Sequence, residues 1–73
     1  MRIDEAIQVA LYTGEWFRPV TWKGSGHALH AYQGHRISIV PSLTGGFTWH
    51  PKVEDILADW EVLDPNTVLD EVI

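Results

Sequence analysis

The sequence of 73 residues carries ten acidic and five basic side chains, a formal net charge of -5, and no cysteine. Its length excludes two independent domains, and the lack of cysteine excludes disulfides and thiolate metal sites. No apolar run approaches the roughly 18 residues of a membrane span, and no basic segment followed by an apolar stretch opens the chain. We therefore expect a cytoplasmic protein without a membrane span or a signal peptide.

The first half of the chain predicts a helix, an interrupted strand and a β-hairpin. Residues 4–13 have the apolar spacing of a helix, with Asp4 as its cap and Gly14 at its end. Residues 16–22 are extended but contain Pro19, which favours an edge strand or a bend. Residues 27–32 and 36–40 then predict two strands joined by a short turn.

The second half predicts two short strands and two helices. Residues 47–49 and 60–63 are the strands, and Pro51 opens a short helix that ends near residue 58. Asp64 and Pro65 begin the last helix, whose apolar stripe contains Val68, Leu69, Val72 and Ile73. The fold class is α+β: a small antiparallel sheet of about four to five strands, packed by an N-terminal helix, a short second helix and a C-terminal helix. We expect one domain over residues 1–63 and a C-terminal helical extension over 64–73.

Charge is distributed unevenly along the chain. Residues 16–53 contain four basic side chains and no acid, whereas residues 54–73 contain seven acids and no base. All four histidines and three of the four tryptophans lie in the basic segment. Such a segment suits an anionic ligand with a flat ring, although acids also cluster on helices for purely structural reasons. The acidic end argues against binding to nucleic-acid backbones.

Little in the sequence points to catalysis or to metal binding. His27 and His30 face opposite ways on a strand, and no acid lies near them in the sequence. The serines lie in no nucleophile motif, and the carboxylates that flank the short second helix are typical of helix caps. We therefore expect no enzyme, no catalytic residue, no metal and no cofactor.

Tryptophan is the most prominent feature of the composition. Each of the four either fills the small core or offers a platform on which a base can stack. Trp22 is the best stacking candidate because it precedes Lys23 and a Gly-Ser-Gly turn, whose N–H groups either cradle a phosphate or simply make a turn. Trp60 belongs to an apolar run, predicted as core, that contains Ile56, Leu57 and Val62.

Two stretches carry a resemblance to a known family. They are EAIQVALYTGEWFRPVTWKG at residues 5–24 and EDILADWEVL at 54–63, the second preceded by FTW. In this order the chain resembles the Thoeris anti-defence sponge family of the second type. The resemblance implies a phage protein that binds and sequesters a cyclic nucleotide immune signal, a cyclic ADP-ribose isomer or a cyclic oligonucleotide, without cleaving it. It also implies a homo-oligomer, a tetramer or dimer, with residues 1–63 as the ligand-binding domain.

The resemblance also implies roles for individual residues. Trp22 would stack on a base and Trp49 would form a second aromatic wall. Arg18 and Lys23 would hold phosphates, and Gly24 would let the backbone approach the ligand. Asp55 either accepts a hydrogen bond from the ligand or caps its helix, and Asp59 is expected to be structural.

Two other functions remain open on the sequence. The acidic C-terminal segment also suits an inhibitor that binds the basic surface of a host defence protein, such as a CRISPR nuclease. A structural or assembly module of a phage particle, with no small ligand, is the third candidate.

Overall fold

Three helices and a four-stranded antiparallel sheet make up the computed structural model, which describes all 73 residues. The helices are α1 (Ile3–Thr13), α2 (Val53–Leu57) and α3 (Pro65–Asp70), and the strands are β1 (Trp16–Pro19), β2 (Leu29–Gln33), β3 (Ile37–Pro41) and β4 (Trp60–Leu63). The predicted α+β class is confirmed. None of the helices has the length and apolar character needed to cross a membrane.

Helix α1 packs on one face of the sheet through its smallest side chains. Ala6 and Ala10 are fully buried, so the helix backbone lies close to the strands. The helix ends where Gly14 takes a positive φ of 77° and its N–H donates to the Ala10 carbonyl at 2.8 Å. At the other end Arg2 is the capping residue, and its N–H donates to the Glu5 carboxylate at 3.1 Å. Asp4, predicted as the cap, lies inside the first turn instead.

Strand β1 lies inside the sheet, whose order is β3-β2-β1-β4. It is antiparallel to both neighbours, and Pro19 stands opposite Trp60 of β4. Of the two alternatives for residues 16–22, the bend is confirmed and the edge strand is wrong. Proline is tolerated at this inner position because it is the last residue of the strand, and the chain turns directly into a 3₁₀ helix at Val20–Trp22.

The hairpin of β2 and β3 follows the prediction closely. Its last pair is Gln33 opposite Ile37, and the turn is closed by a Gly34 N–H bond to the Arg36 carbonyl at 3.1 Å. The predicted strand at 47–49 does not form. Trp49 donates one backbone hydrogen bond to the Ile39 carbonyl at 2.7 Å, but a single bond does not make a strand ladder.

The last two helices begin at polar caps. Helix α2 starts at Val53, two residues later than predicted, because the Asp55 carboxylate accepts the Lys52 N–H at 2.8 Å and fixes the first turn there. Pro51 therefore precedes the helix. Helix α3 starts at Pro65 as predicted, and the Asp64 carboxylate accepts the Asn66 N–H at 2.7 Å.

The core lies between α1 and the sheet. Phe17 and Trp60 meet there with ring centroids 5.7 Å apart, and the Trp60 indole donates to the Asp55 carbonyl at 2.8 Å. Trp60 is thus a core residue, as predicted. Ile56 and Leu57, predicted as core with it, are exposed, Leu57 by 80%. Helix α2 has only five residues, and its hydrogen bond to the core comes from the Asp55 carbonyl, which accepts the Trp60 indole N–H.

Helix α3 covers part of the opposite face of the sheet, the face that carries Arg18 and Glu61. Of its predicted apolar stripe, Val68 alone is fully buried, whereas Leu69, Val72 and Ile73 are exposed. The segment 64–73 nevertheless reaches the interior, because Glu71, which directly follows the helix, pairs with Arg18.

Candidate functional site

A pocket of about 350 Å³ opens at the end of the β2–β3 hairpin, between the turn after β1 and the loop after β3. Its volume lies in the lower part of the range typical of small-molecule sites, roughly 300–1,000 Å³. Its walls are formed by Trp22, Ser25, His27, Ala28, Leu29, Pro41, Thr44, Phe47 and Trp49. The lining is therefore mainly apolar and aromatic, with polar groups from Ser25, His27 and Thr44.

The aromatic walls are held by contacts that lead back to the core. The rings of Trp22 and Trp49 meet edge to face, with centroids 6.5 Å apart and an interplanar angle of 89°. Trp49 in turn contacts the buried Trp60, at 5.9 Å and 73°. The two pocket tryptophans are thus fixed in orientation before any ligand arrives, which lowers the entropic cost of stacking a flat ring.

Phe47 forms the outer part of the pocket and is 61% exposed. A turn holds its loop: Gly45 and Gly46 both take positive φ, 57° and 81°, and the Gly45 N–H donates to the Pro41 carbonyl at 2.9 Å. Sequence reasoning missed Phe47 and His27 as pocket residues. For Phe47 a signal was present, since it opens the FTW stretch that also contains Trp49.

The structure brings two of the predicted site residues together in the pocket. Trp22 and Trp49 line the same pocket although they lie far apart in the chain. Lys23 and Gly24 follow Trp22 in the adjoining turn and are exposed, but they do not line the pocket. Asp55 lies elsewhere: its carboxylate caps α2, so the helix-cap alternative is the one that the geometry supports.

The turn at residues 22–27 has two sides. Trp22, Ser25 and His27 face the pocket. The N–H groups of Gly24 and Gly26 instead donate to the carboxylate of Glu71, at 2.9 and 3.1 Å. One short turn therefore forms both a pocket wall and half of a second site.

That second site is an anion cradle, by which we mean the Arg18 guanidinium together with the N–H groups of Gly24 and Gly26. Arg18 donates from Nη1 to Glu71 Oε1 at 2.6 Å and from Nη2 to Oε2 at 2.7 Å. The carboxylate thus accepts four hydrogen bonds, of which the two from Arg18 are bidentate and charge-assisted.

Arg18 is closed off from solvent, with 1% of its side chain exposed. Its Nε donates to Glu61 at 2.8 Å, so two carboxylates of the chain itself neutralise it. Hydrogen bonds from Arg18 and from the glycine N–H groups lower the pKa of Glu71 to about 2, and the two glutamates raise the pKa of Arg18. The sequence predicted a ligand phosphate at Arg18; in this structure Glu71 holds that place.

Asp59 has a separate structural contact. Its carboxylate accepts from the Met1 nitrogen at 2.6 Å, which lowers the pKa of Asp59. No three histidine or acidic side chains come close enough together to hold a metal ion. A second cavity, of about 430 Å³, is lined by Arg36, Ile37, Ser38, Thr48 and His50. Polar groups thus converge at three places: this cavity, the aromatic pocket and the anion cradle.

Comparison of the chain with protein-family models, with curated proteins and with solved structures finds no match in any of the three. The features that bear on function are the aromatic pocket, the anion cradle and the two sequence stretches at 5–24 and 54–63.

Proposed function

We propose that the protein binds and sequesters a cyclic nucleotide immune signal, a cyclic ADP-ribose isomer or a cyclic oligonucleotide, as an anti-defence protein of a phage. It holds the ligand without cleaving it and acts by removing it from solution. The observation that carries the proposal is the pocket walled by Trp22, Phe47 and Trp49. The two stretches that resemble the Thoeris sponge family support it independently.

The pocket suits a nucleobase in shape and chemistry. Stacking of a base on an aromatic side chain contributes about 1–3 kcal/mol, and three aromatic walls are available here. The hydroxyls of Ser25 and Thr44 and the imidazole of His27 offer donors and acceptors for the edge of a base or for a ribose. A few polar groups in an otherwise apolar lining are the usual arrangement of a small-molecule site.

Charge near the pocket favours an anionic ligand. Lys23 directly follows Trp22 and is exposed. It belongs to the segment 16–53, which contains no acidic residue. No acidic side chain lines the pocket. A ligand with a base in the pocket would therefore meet no carboxylate in the pocket wall and would have the Lys23 ammonium on the adjoining turn.

The test is a thermal-shift screen of the protein against cyclic ADP-ribose isomers and cyclic di- and trinucleotides, followed by calorimetry on the compound that binds. We expect Phe47→Ala to weaken binding by about 5- to 150-fold, the loss of one stacking contact. Phe47 is mainly exposed, so this variant should keep its fold. Trp22→Ala should weaken binding at least as much, with some loss of stability because Trp22 also contacts the core.

Tyr12→Ala is the matched control, since Tyr12 is an aromatic residue that is 93% exposed on α1 and does not line the pocket. It should bind like the wild type. Unchanged affinity in folded Phe47→Ala and Trp22→Ala would contradict the stacking role. Chromatography of the bound compound after denaturation tests sequestration, because a sponge returns its ligand unaltered.

Light scattering in the same samples tests the proposed homo-oligomer. The core cluster of a single chain has six buried side chains, and several large apolar residues remain exposed. Association would bury some of this surface and stabilise so small a domain. A mass of two or four chains is the expected result.

One observation favours the second candidate, an inhibitor of a host defence protein. Val53, Ile56 and Leu57 are exposed together on α2, and Glu54 lies among them. An apolar surface within an acidic segment suits a partner with a basic rim around an apolar patch. If no nucleotide shifts the melting temperature of the folded protein, this surface becomes the leading candidate.

A further inference from the structure

We propose that the anion cradle is a phosphoryl-binding site, that Glu71 is its exchangeable occupant, and that α3 is a plug which a phosphoryl group of the ligand displaces. The identity of that ligand rests on the proposed function, whereas the cradle and its occupant do not.

The geometry of the cradle is that of an anion site. Four donors converge on two oxygens at 2.6–3.1 Å, two from the planar Arg18 fork and two from backbone N–H groups. The positive φ of Gly24 and Gly26, 81° and 76°, aims both N–H groups to one side of the turn. A phosphoryl group presents paired oxygens to an arginine fork as a carboxylate does.

The cradle is built without α3. All of its donors lie within residues 18–26, and Glu61 on β4 holds Arg18 Nε from the other side. Departure of Glu71 would leave these donors in place, with Arg18 still paired with Glu61 but with the outer edge of its buried fork and two backbone N–H groups short of acceptors. Because buried donors without acceptors are costly, another group with paired oxygens is favoured in the vacated place. A phosphoryl group restores these hydrogen bonds.

Helix α3 buries little apolar surface against the rest of the domain, although Glu71, which follows it, accepts four hydrogen bonds. It has six residues, and Val68 is its one fully buried side chain. Glu71, the residue that makes the attachment, lies just after the helix, and its side chain is 16% exposed. Elements with few buried apolar contacts open more readily than the core.

The shared turn connects the cradle to the pocket. Trp22, Ser25 and His27 face the pocket, while Gly24 and Gly26 between them face Glu71. A tethered carboxylate competes at an effective concentration in the millimolar range, which excludes weakly bound free phosphate. A nucleotide that also stacks in the pocket has the additional affinity needed to displace it.

The test uses inorganic phosphate as the probe and the variant Glu71→Ala, in which no carboxylate occupies the cradle. Asp70→Ala is the matched control, because it removes the same charge from an exposed neighbour that makes no side-chain hydrogen bond or ion pair. We expect millimolar phosphate to raise the melting temperature of Glu71→Ala by several degrees over chloride at equal ionic strength. The wild type and Asp70→Ala should show no such phosphate-specific rise.

Absence of a phosphate-specific rise in folded Glu71→Ala would overturn the proposal. If the variant is unfolded in chloride, phosphate should restore its circular dichroism, and failure to do so overturns the proposal equally. Displacement also predicts that Glu71→Ala binds the nucleotide from the screen about tenfold more tightly than the wild type, since no carboxylate competes.

The two proposals can fail separately. Nucleotide binding by the wild type with no phosphate effect in Glu71→Ala would overturn the plug and leave the sequestration proposal intact. A phosphate effect in Glu71→Ala, with no nucleotide bound by either form, would confirm the cradle and overturn displacement by a nucleotide.

Discussion

At the scale of single residues, Arg18 is the group on which most of the polar structure converges. It lies on a central strand, is almost wholly buried, and is neutralised by carboxylates from β4 and from the end of α3. Removing one partner of a buried pair leaves the other charge without compensation, which costs more than the pair itself contributes. Arg18 thus joins three parts of the chain through one side chain.

We expect Arg18→Ala to lower the free energy of unfolding by about 3 kcal/mol, the lower end of the range for buried pairs, because both glutamates retain some contact with water. Arg18→Lys should restore little of the loss, since an ammonium cannot make the bidentate contact. Urea denaturation measures both. The control is Arg36→Ala, an exposed cation, with a change within about 0.5 kcal/mol. A similar small change for Arg18→Ala would contradict this role.

At the scale of elements, α3 is seated against the turn through Gly26 and Val72. Gly24 and Gly26 both take positive φ, but only at Gly26 would an added Cβ meet another side chain, that of Val72. The pair of glycines therefore separates two effects. Backbone strain alone acts at Gly24, whereas strain and overlap act together at Gly26.

Accordingly, Gly24→Ala should cost about 1–2 kcal/mol of stability, the usual strain of a left-handed conformation, and Gly26→Ala clearly more. Adding Val72→Ala to Gly26→Ala should recover the difference, whereas adding it to Gly24→Ala should not. A double-mutant cycle in urea denaturation gives these values. Equal losses at the two glycines would show that α3 does not depend on this close approach.

The sequence predicted most elements because their signals are local. The spacing of Ala6 and Ala10, the Asp64-Pro65 start and the hairpin turn all act within a few residues. The failures concern position in the sheet and burial. Whether β1 is central, or whether Leu57 is buried, depends on which distant element packs beside it, and no local pattern carries that information.

The candidate site was predicted only in part, because its residues are brought together by the packing of distant elements. Trp22 was selected from its place beside Lys23 and the glycine turn and Trp49 from the family resemblance, and the fold places both in one pocket. Arg18 was also selected, but its partner Glu71 was not, since an acid near the end of a helix looks ordinary in a sequence. Only the packing of α3 against the turn shows that the two charges meet.

At the scale of the whole molecule, the ion pairs make stability depend on pH. Because its pKa is lowered from 4.5 to about 2, Glu71 stabilises the fold fully above about pH 4.5, and this contribution is lost as the pH falls toward 2. The lowered pKa of Asp59 acts in the same direction. The melting temperature should therefore fall across this acidic range.

Calorimetry between pH 7 and pH 2 measures the effect. Glu71→Gln should have a lower melting temperature than the wild type at neutral pH, and this temperature should fall less on acidification. The remaining fall is due to Asp59 and the other carboxylates. If the melting temperature of Glu71→Gln falls as steeply with pH as that of the wild type, Glu71 contributes nothing to the pH dependence.

The meeting of Arg18 with its carboxylates also governs how the chain folds. Its partners lie 43 and 53 residues away in sequence, so the central pairing requires closure of most of the chain. The local hairpin forms within about 1–10 μs, but it brings neither glutamate to Arg18. High contact order of this kind slows folding relative to helical domains of equal size. A half-formed sheet would bury an uncompensated cation, which disfavours partly formed sheets, and the four strands should therefore fold and unfold together, whereas α3 opens separately.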